Sequence, residues 1–203
     1  MSYYSQFGQD KYLNELVFEG KCGGYFVDIG AYDGVTFSNS YFFEKQMGWN
    51  GICVEPMPHI YNQLIRNRKC VCIEGAIAGE EREQDFLVAK GVEMLSGLVD
   101  SYDIRHLNLI DSYKGEKEII RVNTFKLQSI LDNNQIKHID FCSIDTEGSE
   151  LKVIQSIDLD KVDVRCFVVE NNYHDSVLRE YLLSRNYSLV ERIVVDDIFV
   201  KNG

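Results

Sequence analysis

Two acids stand where an apolar run gives out. Asp28 follows Tyr25-Phe26-Val27 and leads into Ile29-Gly30-Ala31-Tyr32-Asp33-Gly34, and Glu55 follows Gly51-Ile52-Cys53-Val54 and precedes Pro56. Short apolar runs of this kind read as buried strands, and a glycine-spaced turn at a strand's carboxyl end lets bare backbone lie against a ligand. Spacing decides which ligand. A dinucleotide fingerprint, Gly-x-Gly-x-x-Gly, needs its second glycine to admit a pyrophosphate. Counting from Gly30, that position is Tyr32, which obstructs the approach. Asp28 is a poor neighbour for phosphate and a good acceptor for an ammonium group. Acid, glycine turn and no phosphate cradle point to S-adenosylmethionine, with its zwitterionic tail and sulfonium, and away from a nicotinamide cofactor. Glu55, roughly 20 residues further on, stands where a ribose diol is gripped by charge-assisted hydrogen bonds. A ligand-free strand-to-helix turn is the competing reading of the first motif, and the second acid weighs against it.

These acids need elements to hold them. Residues 9–19 put Tyr12, Leu13, Leu16 and Val17 on one face of a helix closed by Gly20, with Gln9 and Asp10 at its start near the ligand. Ser38-Asn39-Ser40 caps a second helix that runs to Met47, and residues 57–67 form a third with Ile60, Leu64 and Ile65 inward. A strand over 71–73 precedes Gly75, Ala76 and Ala78, whose small side chains leave room for an adenine ring. Strands at 85–88 and 119–122 flank a polar stretch, 90–116, read as a substrate-facing lid that carries Met94, Tyr102, Asp103, Arg105 and His106. Thr124 is expected to cap a helix through Leu127, Ile130 and Leu131. Strands at 139–144 and 164–169 end in Asp145-Thr146-Glu147-Gly148-Ser149-Glu150 and Glu170-Asn171-Asn172. A helix from Ser176 to Ser184 and a hairpin turning at Asp196-Asp197 complete a single α/β domain with a three-layer sheet.

Composition narrows the partners. With 203 residues the chain suits one domain with a sizeable core, and 45% hydrophobic with 26% charged residues is ordinary for a globular protein. A net charge of −11 argues against nucleic acid and anionic membrane as partners, since both attract a basic footprint. The 6 cysteines include no Cys-x-x-Cys pair and read as reduced core residues. The start of the chain lacks the pattern of a signal peptide, and no window reaches the ~18 apolar residues of a membrane span, so a cytoplasmic protein is expected.

Taken in order, Ser5-Gln6-Phe7-Gly8-Gln9-Asp10, Asp28 to Gly34, Ser38-Asn39-Ser40, Val54-Glu55-Pro56, the acidic segment at 144–150 and Asp197-Ile198-Phe199-Val200 resemble FkbM-type methyltransferases, a class I S-adenosylmethionine-dependent family. The resemblance covers nearly the whole chain, and the segment at 144–150 is its most specific part. It implies a Rossmann-like three-layer α/β/α fold, a seven-stranded, mostly parallel sheet with an antiparallel last strand, and methyl transfer to an oxygen of a sugar, glycan or polyketide. Tyr32 departs from the small or polar residue usual in the glycine loop of class I enzymes. The expected cofactor contacts are Gln9, Asp28, Gly30, Ala31, Tyr32, Asp33, Gly34, Ser38, Asn39, Glu55, Pro56, Ala76 and Asp145.

Methyl transfer to a hydroxyl needs an aligned acceptor and a group to take its proton. Asp145 and Glu147 are expected to line the reaction centre, with Glu170 or His174 as general base. Glu147 reads alternatively as a helix N-terminal carboxylate, and His174 as a solvated loop histidine. In a metal-assisted variant, Asp145, Glu170 and Asn171 offer oxygen ligands to magnesium. A scaffold that keeps the fold without turnover is the reading from another class, and retention of both cofactor acids favours the enzyme.

Overall fold

Alternation within the strands divides the core in two. The computed structural model describes residues 1–102 and 104–203; Asp103, one of the expected lid residues, lies outside the described residues. In chain order, α1 (Gln9–Tyr12) runs into a π-helical turn (Leu13–Val17), followed by β1 (Tyr25–Ile29), α2 (Tyr41–Met47), β2 (Asn50–Glu55), α3 (Pro58–Asn67) and β3 (Val71–Glu74). Then come β4 (Ala76–Ile77), β5 (Glu83–Lys90), β6 (Gly97–Leu98), α4 (Ile104–Ser112) and β7 (Glu116–Phe125). The chain closes with α5 (Leu127–Asn133), β8 (His138–Ile144), α6 (Glu150–Gln155), β9 (Asp163–Glu170), α7 (Ser176–Ser184), β10 (Tyr187–Ile193) and β11 (Asp196–Lys201).

Seven strands form one sheet in the order β10-β11-β9-β8-β1-β2-β3, parallel except for β11, the last in the chain, which runs antiparallel to both neighbours. Successive residues point to opposite faces. Val27, Ile52, Cys142 and Phe167 therefore pack with Leu131 of α5, Val153 of α6 and Leu182 of α7. Phe26, Cys53, Phe141 and Cys166 pack on the other face with Leu13, Phe42 and Phe43, and Leu64 of α3. Such strands, apolar on both faces, are what a sheet covered by helices on each side requires.

β4, β7, β5 and β6 make a second, smaller sheet, with β5 and β7 antiparallel from Glu83↔Asn123 to Lys90↔Glu116. The expected pairing of 85–88 with 119–122 is present, and it is longer than the apolar runs alone show. Between these strands the polar stretch is built rather than loose: it carries two short 3₁₀ turns, β6 and α4, with Ile110 wholly buried.

Local departures have physical reasons. The Phe18 N–H donates to the Leu13 carbonyl, five residues back, at 2.8 Å, and this wider turn leaves Leu16 67% exposed rather than inward. Ile65 is exposed on α3, whose inner face is Ile60 and Leu64. Thr124 lies inside β7 and does not cap α5; the Leu127 N–H goes to the Ser156 hydroxyl at 3.1 Å. The hairpin turns at Val194 and Val195, so Asp196 and Asp197 open β11 as buried residues. No described helix is long and apolar enough to cross a membrane.

Candidate active site

The site lies over the carboxyl ends of β1, β2, β8 and β9. After β3 the chain crosses to the other side of β1, so the crevice between β1 and β8 is the point where strand order reverses and where open α/β sheets bind ligands. Gly30 sits at that crevice with φ +82°, and a Cβ there would fall 1.9 Å from the Asp145 carbonyl oxygen. Only glycine lets the two strand tips approach this closely.

A cavity of about 420 Å³ opens on one side of this turn and a smaller one of about 60 Å³ on the other. Glu55, Pro56, Ala76, Glu147 and Glu170 line the large cavity. Gln9, Asp28, Ala31, Ser38 and Asn39 line the small one, and Gly30, Tyr32, Asp145 and Glu170 line both. Asp33 and Gly34 line neither. Asp33 accepts from the Val35 and Thr36 N–H groups at 2.8 and 2.7 Å and closes the turn, while Gly34, φ +80°, packs under Arg68. These two shape the loop instead of facing the cleft.

Tyr32 does not block the loop. Its φ is +51°, its N–H donates to Glu55 Oε2 at 3.1 Å, and its ring packs beside the buried cluster of Met57, Ala76, Phe86 and Leu98. The Met57 N–H donates to Glu55 Oε1 at 2.9 Å, so each carboxylate oxygen holds one backbone donor and keeps room for another. Burial raises the Glu55 pKa to about 7 against the pull of these two N–H groups. Asp28 accepts from the Ser40 hydroxyl, and its pKa is raised by burial, opposed by the nearby Arg68. Asn39 donates to the Ser143 hydroxyl at 3.0 Å, whereas its buried Oδ1 has no hydrogen-bond partner. Gln9 reaches Asp196, which also lines the small cavity and whose pKa burial raises to about 6.

The β8–β9 side is acidic and crowded. Glu150 closes the turn by accepting from the Thr146 and Gly148 N–H groups at 3.1 and 3.0 Å, the role considered for Glu147. Glu147 instead takes φ +58° and turns its carboxylate into the cavity. Ligand oxygens of Asp145, Glu147 and Glu170 lie within 4.8 Å of one another, and Asp145 and Glu170 share a hydrogen bond. Asp145 is exposed to the cleft, yet desolvation by the surrounding protein, then Asp196 and Glu150, raise its pKa to about 7. Burial and the neighbouring acids push Glu147 and Glu170 well above the usual carboxylate range. Like charges this close cannot all ionise, so the group shares protons.

Residues 28–189 match the family described as the Methyltransferase FkbM domain. The chain belongs to the FkbM methyltransferase family. Among solved structures it is similar to the FkbM methyltransferase of Methylobacillus flagellatus KT, with 14% identity, a TM-score of 0.53 and 94% of this chain covered. The chain spans 50% of that protein's chain. The N-terminal domain of human METTL16 is similar with 12% identity and a TM-score of 0.51, covering 94% of this chain and 67% of its own. At these identities both likenesses bear on the fold. No curated protein matches the sequence.

Two expectations about this FkbM domain need correction. His174 is exposed, at φ +58°, and lines neither cavity. The histidine that reaches the cleft is His106 of α4, buried with Nδ1 3.2 Å from Glu147 Oε2. Asn171 turns away from the acids: its side chain donates to Asp197 at 2.9 Å and accepts from the Asp175 N–H at 2.8 Å. Glu147 takes its place in the oxygen cluster. The sequence placed His106 in the expected lid without a role at the site, and it read Asp196, another cleft residue, as part of a turn.

Proposed function

We propose that this chain is an S-adenosylmethionine-dependent O-methyltransferase acting on a hydroxyl of a sugar, a glycan or another hydroxylated small molecule. The observation that carries this reading is the cluster of Asp145, Glu147 and Glu170, with carboxylate oxygens within 4.8 Å of one another, lining the same cavity as Glu55. The residues fit the cofactor. Glu55 has room on both oxygens for a ribose diol, and the unpartnered Asn39 Oδ1 and Asp28 suit an ammonium group. Met57, Ala76, Ile77 and Phe86 offer an apolar slot to the adenine.

When bound, S-adenosylmethionine supplies an electrophilic methyl group on a sulfur that leaves readily. The rest falls to the protein: to align the acceptor oxygen and take its proton. Asp145, Glu147 and Glu170 are suited to this, because a carboxyl that ionises reluctantly among other acids is a stronger base than one in water. Glu55, Glu93, Asp145, Glu147 and Glu170 line the large cavity, and among the described residues no Lys or Arg does. That charge supports an acceptor without phosphate groups at the reacting end.

Incubation with labelled cofactor and a panel of sugars and glycan extracts, followed by mass spectrometry, tests the proposal. A methylated hydroxyl is expected. Cofactor binding without product from any hydroxylated acceptor would favour the scaffold reading. A metal-assisted version rests on the 4.8 Å grouping of Asp145, Glu147 and Glu170, an oxygen set suited to magnesium, which would make the acceptor hydroxyl more acidic. Activity that survives EDTA removes it.

A further inference from the structure

Three thiols lie behind the cleft, outside the chemistry described so far. Cys70 Sγ stands 3.6 Å from Cys53 Sγ, and Cys72 Sγ is 3.6 Å from the Cys70 carbonyl oxygen. All three are free thiols. Cys53 is fixed in the middle of β2 and wholly buried, whereas Cys70 is half-buried in the short connection between α3 and β3. A small reagent therefore reaches one sulfur of the pair directly, and the reachable one sits in a connection outside the sheet.

The surroundings favour a thiolate. Arg68, two residues before Cys70, is buried with its guanidinium on Glu44 at 2.6 Å, the Gly34 carbonyl at 3.0 Å and the Ser40 hydroxyl at 3.0 Å, and it interacts electrostatically with Cys53 and Cys70. Contacts with Cys53 and Cys72, then Arg68, lower the Cys70 pKa, while burial raises that of Cys53. One thiol is poised to attack and the other to stay protonated until called upon. A disulfide needs the sulfurs about 2.05 Å apart, so a shift of about 1.5 Å at Cys70 closes the gap.

We propose that Cys70 and Cys53 form a peroxide-responsive thiol pair, with Cys70 oxidised first and Cys53 resolving the product into a disulfide. In the first step the Cys70 thiolate attacks a hydroperoxide oxygen; the S–O bond forms, the O–O bond breaks, and the departing oxygen leaves as alcohol or water after taking a proton. In the second, Cys53 sulfur displaces the hydroxyl from the Cys70 sulfenic acid; the S–S bond forms, the S–O bond breaks, and the Cys53 proton leaves with the hydroxyl as water. The two thiols lose two electrons in all, and the peroxide gains them. The pair borders the Asp28 end of the cleft: Asp28 and Cys53 are register partners on β1 and β2, and the Ser40 hydroxyl links Arg68 to Asp28.

The test uses the reduced full chain, equimolar hydrogen peroxide, alkylation of the remaining thiols and peptide mapping by mass spectrometry. Loss of two of the 6 thiols is expected, with Cys53 joined to Cys70. In Cys53→Ala the map should show Cys70 sulfenic acid trapped by dimedone, and in Cys70→Ser the loss of paired thiols should vanish. Retention of all thiols, oxidation confined to the exposed Cys22, or a Cys70–Cys72 link would overturn the proposal. The readout needs neither cofactor nor acceptor, so it stands or falls apart from methyl transfer.

Discussion

The cleft has two ends built from the same part, a strand tip bearing a carboxylate, and they differ in what meets that carboxylate. At the β1–β2 end the partners are donors: the Ser40 hydroxyl on Asp28, and the Tyr32 and Met57 N–H groups on Glu55. At the β8–β9 end the partners are largely other acids, Asp145, Glu147 and Glu170 gathered with Asp196 and Glu150 nearby. Donors fix a carboxylate's orientation and prepare it to take further donors from a ligand. Acids facing acids hold protons and exchange them. On the proposed reading, one end binds the cofactor and the other takes the acceptor's proton.

The comparison is sharpest at the acidic end. Glu147→Gln and Glu170→Gln should each lower kcat by roughly 100-fold or more, the usual scale of a lost general base, while calorimetric affinity for S-adenosylmethionine holds. Equal losses of affinity and rate would erase the division between the two ends. Glu55→Gln should do the reverse: affinity drops roughly 10- to 100-fold with the charge on a hydrogen-bonded diol, and kcat at saturating cofactor is largely retained.

Raised pKa values at both ends of the cleft set a pH dependence. Acids whose pKa is raised, Asp145 to about 7 and the buried Glu147 in the same direction, keep protons that the unfolded chain releases near pH 4. The folded state then binds more protons, so the stability they contribute is present at low pH and lost as pH rises through the folded pKa. Glu147→Gln should therefore raise Tm by a few degrees at pH 8, at about 2–4 °C per kcal/mol for a chain of this size, and change it little at pH 4. Thermal melts at the two pH values check this, and the wild-type rate should climb with pH above the usual carboxylate range as the clustered acids ionise. The smallest effect is expected at His174. Its exposed ring predicts that His174→Ala changes stability by less than about 0.5 kcal/mol and leaves kcat intact, whereas His106→Ala, beside Glu147, lowers kcat.

Most of the sheet was legible because its strands are short apolar runs that stop at polar tips: Asp28, Glu55, Asp145 and Glu170 all fall where those runs predict. Ser176 to Ser184 was legible to the residue as a helix. Helix α4 was not, since it buries His106 and Ile110 one turn apart within a polar stretch, too few inward residues to reveal a period. Nor was Asp196, because an acidic pair reads as a turn until β11 is seen to pair with β9 and bury it. Asn171 and His174 failed for a different reason: sequence places a residue after a strand but does not say which way the loop turns its side chain.

A crystal structure of the chain with S-adenosylhomocysteine tests the central claim most directly. The account predicts ribose hydroxyls on the Glu55 carboxylate, the amino-acid tail in the small cavity against Asp28 and Asn39, and the sulfur directed toward Asp145. The compound bound elsewhere, or Glu55 and Asp28 turned away from it, would contradict the account.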